Sequence, residues 1–268
     1  MGRIGRSFLL VGQSYRVLMQ DKELMVLPLI SGITIAIVGG AMIFGLGLRD
    51  LDRGPKDAAQ YGAFFVLYVA CYAIGIFFQA AVIAGATERM RGGNPTVSSA
   101  LSAAARRIGP ILLWAVIAST VGMIIKAVQD RLGFVGRIIV GLIGAAWSLG
   151  TFFVVPVLVL EEQPVGASIS RSVALFKKTW GETFVGGASL GVAAVCAWVS
   201  LVALTGLAAW AIGVSALVGF FVGAVFLIVL FSALQGVLVA SLFRYASGAG
   251  VVPGFDAEVL ENAFVPKR

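Results

Sequence analysis

Residues 183–243 read TFVGGASLGVAAVCAWVSLVALTGLAAWAIGVSALVGFFVGAVFLIVLFSALQGVLVASLF, sixty-one consecutive positions between Glu182 and Arg244 without a charged side chain. A water-exposed loop does not tolerate such a run. About 20 apolar residues cross the hydrocarbon core of a bilayer, so the stretch holds two spans joined by a tight, uncharged turn, expected near Gly206–Gly213. Working outward, apolar runs at Leu24–Leu48, Tyr61–Ala86, Ile108–Val128 and Ile138–Leu160 are each long enough to span at about 1.5 Å per residue. The chain is therefore read as an all-α polytopic membrane protein with six transmembrane helices.

Composition agrees: 59% of residues are hydrophobic and 12% charged, against roughly 25% charged in an average soluble domain. The segment after Arg3 and Arg6 is too short and too interrupted for a secretory signal, and Arg6 occupies the place where a myristoylation motif needs Ser or Thr. Cys71 and Cys196 both fall inside spans, where a thiol behaves as a small hydrophobe, so no disulfide framework is expected. No histidine is present, which removes the commonest general base and metal ligand together. Asp50 and Asp52 are neutralised by Arg49, Arg53 and Lys56 and read as a solvated loop. No cofactor and no metal is expected.

Lys and Arg set the orientation. With six spans, one side carries fourteen of them, including Arg16, Arg89, Arg106, Arg107, Lys177, Lys178 and Arg244, and the other six, including Arg49, Lys126 and Arg137. The richer side is cytoplasmic by the positive-inside rule, so both termini are cytoplasmic. The net charge of +7 is then a topology signal, and no nucleic-acid partner is implied.

Each hairpin of spans is preceded by an amphipathic segment. Ile4, Phe8, Val11, Tyr15 and Leu18 share one face of the first; Asn94-Pro95 opens a second, with Val97, Leu101, Ala104 and Ile108 on one face; Gln163-Pro164 opens a third, with Val165, Ile169, Val173, Phe176 and Trp180. Gln79-Ala-Ala-Val-Ile-Ala84-Gly85 lines up with Gln235-Gly-Val-Leu-Val-Ala240-Ser241, and Thr151-Phe-Phe-Val-Val-Pro156 takes the equivalent place in the fourth span. These similarities predict one transmembrane domain over 1–246 in three repeats, 1–90, 91–162 and 163–246. A cytoplasmic tail, 247–268, follows, with a short helix after Asp256 whose apolar face, Val259, Leu260, Ala263 and Phe264, either folds back on the cytoplasmic helices or docks another protein.

The membrane interior is almost free of charge, which disfavours catalysis and ion-coupled transport, since costly intramembrane ionisable groups mark such functions. Gln79 and Gln235 are the most polar residues within spans and are expected to bond across a helix interface rather than line a pathway. Gly187/Gly191 and Gly219/Gly223 have the spacing of close helix approach. The basic helices leave two roles open: topology with snorkelling of the long side chains, or anionic-lipid contacts at Arg106, Arg107, Lys177 and Lys178, each charge near the surface being worth roughly 1 kcal/mol.

Several segments resemble a family of bacterial six-span membrane proteins defined as a domain of unknown function: Ser14-Tyr-Arg-Val-Leu18 with Asp21-Lys22-Glu23-Leu24, Pro28-Leu29-Ile-Ser31-Gly32, Pro156-Val-Leu158 with Glu161 and Ser168 to Ser172, and Gly254-Phe255-Asp256 with Ala263-Phe264. The layout is more distantly similar to the membrane domain that accompanies some glycerophosphodiester phosphodiesterases, without a phosphodiesterase domain. The resemblance implies a bacterial inner-membrane protein and supplies no activity. The expectation is a non-enzymatic protein that organises lipids, or scaffolds partners at the cytoplasmic face; the alternative is a transporter or pore for a hydrophobic or lipid-like solute. The partners expected are membrane lipids, a docking protein or further copies of the chain.

Overall fold

The computed structural model describes residues 12, 14–45 and 58–248, and within these the side chains of all but residues 179–188 and 211–212. The described residues are all-helical. A helical segment at residues 14–20 and a 3-10 turn, Lys22–Met25, lead into α1 (Val26–Gly45); then follow α2 (Ala58–Met90), α3 (Val97–Ala105), α4 (Ile108–Asp130), α5 (Phe134–Gly150), α6 (Val154–Leu160), α7 (Val165–Ile212) and α8 (Ala216–Ala246). Among the described residues six helical stretches are long and apolar enough to cross a membrane: Lys22–Gly45, Ala58–Met90, Ile108–Asp130, Phe134–Leu160, Ser189–Trp210 and Gly213–Ala246. This is the architecture of a multi-pass membrane protein.

The uncharged run forms two spans, as its composition requires, but the turn lies at Gly213–Ser215, at the far edge of the expected window. Gly213 has φ +65° and ψ −145°, a conformation open to glycine and strained for other residues. Gly206 stays inside α7. That helix runs 48 residues without a break, about 72 Å at 1.5 Å per residue. The third amphipathic segment and the fifth span are thus one helix, whereas in the middle of the chain α3 and α4 are separated by a turn at Arg106-Arg107.

Helix ends follow local chemistry. Thr96, one residue past the expected Asn94-Pro95, caps α3: its Oγ1 accepts the Ser99 N–H at 3.1 Å, and Ser99 Oγ accepts the Thr96 N–H at 3.0 Å, a reciprocal capping box. Ser99 Oγ also donates to Glu88 at 3.1 Å, tying the start of α3 to the end of α2. Ala100 and Ala104 are the buried residues of α3, with Leu101 packed beside them, while Ile108 starts α4 and is exposed. In the first amphipathic segment Ser14, Val17 and Leu18 are buried and Tyr15 is exposed, so its inner face is turned from the expected one. Ile4, Phe8 and Val11, the loop expected at Asp50 and Asp52, the side chain of Trp180, the surroundings of Gly187, and the expected tail helix lie outside what the structure describes.

Helix α2 is the hub, touching α1, α3, α4, α6 and α8. The core lies in one half of the bundle, where residues 80–86 of α2, residues 153–159 and the α8 residues Ala233, Leu234 and Val237 to Phe243 meet the buried Leu18, Leu24 and Leu27. Close crossings hold this half together. A Cβ on Gly85 would lie 2.6 Å from Leu24, and one on Gly236 would collide with Val82. Of Gly191, Gly219 and Gly223, it is Gly223 that makes a close approach, where an added Cβ would meet Leu201 at 2.6 Å. In the other half, large apolar side chains such as Leu207, Trp210, Phe221 and Val222 are exposed, as suits a surface facing lipid rather than water.

Candidate functional site

Where the packed half ends, the helices part around two cavities of about 410 and 430 Å³. Both are lined by Tyr72, Ile76, Gln79 and Gln235. The first extends between α1, α2 and α8 to Ser31 and Ser232; the second extends between α2, α4 and α5 to Tyr68, Trp114, Trp147 and Thr151. Met90 lies eleven residues after Gln79 and Ala246 eleven after Gln235, about 16 Å of helix. That is half the thickness of a hydrocarbon core of about 30 Å. Small residues leave the space: Gly32 and Gly75 on the first cavity, Gly122 and Gly144 on the second.

The walls are uncharged yet rich in hydrogen-bonding groups. Neither Gln79 nor Gln235 forms a side-chain hydrogen bond among the described residues, so the expected bond across a helix interface is not made; both amides line the cavities instead. The aromatic residues come in stacked pairs, Trp114 with Trp147 at a centroid distance of 6.1 Å and Tyr68 with Tyr72 at 5.9 Å.

The fourth span is interrupted beside the second cavity. Residues 151–153 form turns between α5 and α6. Pro156 has no N–H, so the Phe152 carbonyl lacks its usual helical donor. Ser172 of α7 closes the gap: its Oγ accepts the Phe153 N–H at 2.9 Å and donates to the Gly150 carbonyl at 2.7 Å. Irregular backbone at membrane depth persists where protein buries it or a cavity is lined by it, and Thr151 and Phe152 line this one.

The four basic candidates divide into two kinds. Arg107 donates from Nε to the Leu158 carbonyl at 3.0 Å and from Nη2 to the carbonyls of Glu162 at 2.7 Å and Gln163 at 3.0 Å, closing the end of α6. Lys178 donates to the Ala246 carbonyl at the end of α8, at 3.3 Å. Cations at helix C-termini satisfy free carbonyls and the helix dipole together. Arg106, Lys177 and Lys178 are exposed and Arg107 is half-buried, but among the described residues Arg106 and Lys177 reach no helix end, Arg106 donating instead to Ser102 of its own helix at 3.4 Å. Sequence reasoning misses two ion pairs on the same end, Arg89 with the buried Asp21 at 3.0 Å and Arg171 with Glu161 at 3.0 Å. Asp21 and Glu161 both belong to segments that carry the family resemblance, but nothing in their spacing names a partner. Among the described residues no three His, Cys, Asp or Glu side chains come together as a metal site would require.

Fold and site together define a multi-pass, all-helical membrane protein whose cavities are lined by uncharged residues. The chain belongs to a family of unknown function, DUF6159, whose model matches residues 58–252, from the start of α2 to just beyond α8. No curated protein and no solved structure matches it.

Proposed function

We propose that this protein is a non-enzymatic lipid-handling protein of the bacterial inner membrane, with both termini cytoplasmic, and that an amphiphile docks in the paired cavities beside Gln79 and Gln235. The observation that carries the reading is the pair of unbonded amides facing open space at mid-membrane depth. An amide without a partner in an apolar medium is costly, so a ligand or water there supplies the missing bonds. This favours the lipid-like solute over a purely scaffolding role, while residues 80–86, 153–159 and the end of α8 pack into an apolar core beside the cavities.

Three repeated units, 1–90, 91–162 and 163–246, belong to the same proposal. In support, each second span is followed by a residue of positive φ, Gly92 at +84°, Glu162 at +54° and Gly248 at +79°. Gln79 and Gln235 each lie thirteen residues before theirs; Thr151 lies eleven before Glu162, the difference falling at the interrupted segment. The exposed Arg106 and Lys177 support a secondary contact with anionic lipid headgroups at the cytoplasmic surface.

The test is lipid retention by the full chain in detergent, read by native mass spectrometry. Wild type is expected to retain lipid through delipidating washes, and a Gln79→Leu/Gln235→Leu double variant of unchanged thermal stability to retain about ten-fold less, the loss of roughly one hydrogen bond's worth of affinity. Equal retention by the two proteins, or none by wild type, overturns the proposal.

A further inference from the structure

We infer that the second cavity takes an uncharged, hydroxyl-bearing headgroup on a hydrocarbon tail, the chemistry of a neutral glycolipid. The inference rests on the cavities being the binding site. It concerns what their walls select.

No charged side chain lines either cavity. A phosphate or carboxylate placed there would lose its hydration with no cation to replace it, and a bare ammonium would find no carboxylate. A pure hydrocarbon fails for the opposite reason, because it would leave the polar groups of the wall dry and unbonded. Tyr68, Tyr72, Trp114, Trp147, Gln79 and Gln235 form no side-chain hydrogen bond among the described residues. Between them they offer indole N–H and amide N–H donors, amide carbonyl acceptors, and phenol groups that do both. A polyol carries donors and acceptors on every carbon and meets that mixture, whereas a ketone or ester group would use only the donors.

The aromatic pairs point the same way. Flat indole and phenol surfaces suit the C–H faces of a sugar ring, whose hydroxyls then project toward the amides at the edge. The interrupted span borders this cavity at Thr151 and Phe152, next to the point where Pro156 has no N–H to offer the Phe152 carbonyl. Non-helical backbone at the membrane midplane is a recurrent place for solute contacts in transport folds. At about 430 Å³ the space lies within the usual range for small-molecule sites. The tail has a ready surface in the exposed apolar half of the bundle, at residues such as Leu142 and Ile143.

The experiment uses the full chain in a polyoxyethylene detergent, which carries no sugar, with four probes offered singly and in competition: monoglucosyl diacylglycerol, diacylglycerol, phosphatidylglycerol and phosphatidylcholine. Native mass spectrometry reads the bound fraction. Glucosyl diacylglycerol is expected to bind about ten-fold more tightly than the other three, or better, an advantage of roughly one net hydrogen bond. Trp147→Phe, which keeps a ring and loses the N–H, and Gln235→Leu are each expected to weaken it several-fold without changing thermal stability. If phosphatidylglycerol, phosphatidylcholine or diacylglycerol binds as well, and its binding still falls in the Gln79→Leu/Gln235→Leu variant, the headgroup class is wrong while the cavity remains the site. If no probe responds to that variant, the site itself is refuted.

Discussion

Ser172→Ala tests how the interrupted fourth span is held. Ser172 is fully buried, and its hydroxyl is the partner of both the Phe153 N–H, at 2.9 Å, and the Gly150 carbonyl, at 2.7 Å. Alanine removes one oxygen atom, adds nothing, and suits a helix, so steric and propensity effects are small. What remains is an N–H in the core with no acceptor and a carbonyl with no donor. A buried group left unsatisfied costs roughly 1–3 kcal/mol; the carbonyl recovers part of this by local adjustment, so the expected loss is about 2–4 kcal/mol. The assay is a reversible unfolding titration in mixed micelles. Ser170→Ala is the control, being exposed on the same helix with its hydroxyl directed to Gly166 at 3.3 Å, and its expected effect is within about 0.5 kcal/mol of zero. Should Ser172→Ala match that control, the bridging role assigned to Ser172 is wrong.

Glu162→Gly is expected to stabilise by about 1 kcal/mol in the same titration, because Glu162 holds φ +54° at a cost glycine avoids, while the backbone carbonyl that Arg107 binds is kept; no gain would refute the strain assigned to this position. For topology, single cysteines at Leu132 or Gly133, in the connection between α4 and α5, are expected to react with membrane-impermeant reagents in intact cells. Cysteines at Arg106 or Lys178 are expected to react only after permeabilisation, and the reverse pattern would invert the proposed orientation.

The spans and the starts of the amphipathic helices are legible in the sequence because they depend on composition and local pattern: a long uncharged run has few alternatives to crossing a bilayer, and Pro95 and Pro164 mark helix entries whatever packs around them. The turn at Gly213–Ser215 is blurred, since Gly206 and Gly213 look alike in sequence and only one takes a positive φ. The interruption at 151–153 is visible only as Pro156, which a span tolerates or breaks at according to what stands opposite; here it is Ser172, on the next long helix. The same holds for the site. Gln79 and Gln235 stand out as polar residues in apolar helices, but whether an amide meets another helix or an opening is a property of tertiary spacing. Arg107 reads as a surface cation because its three carbonyl partners belong to a segment more than fifty residues away.

The packed apolar core has an electrical consequence. Alanine, valine and leucine side chains dominate it at residues 80–86, 153–159 and the end of α8 and leave little polar foothold between the helices, and an ion entering would shed its water at a cost of tens of kcal/mol by idealised Born solvation. On the proposed reading the cavities fill with water or ligand on one side of this core, and because an ion that followed would meet that cost, filling the site is expected to leave the membrane potential intact.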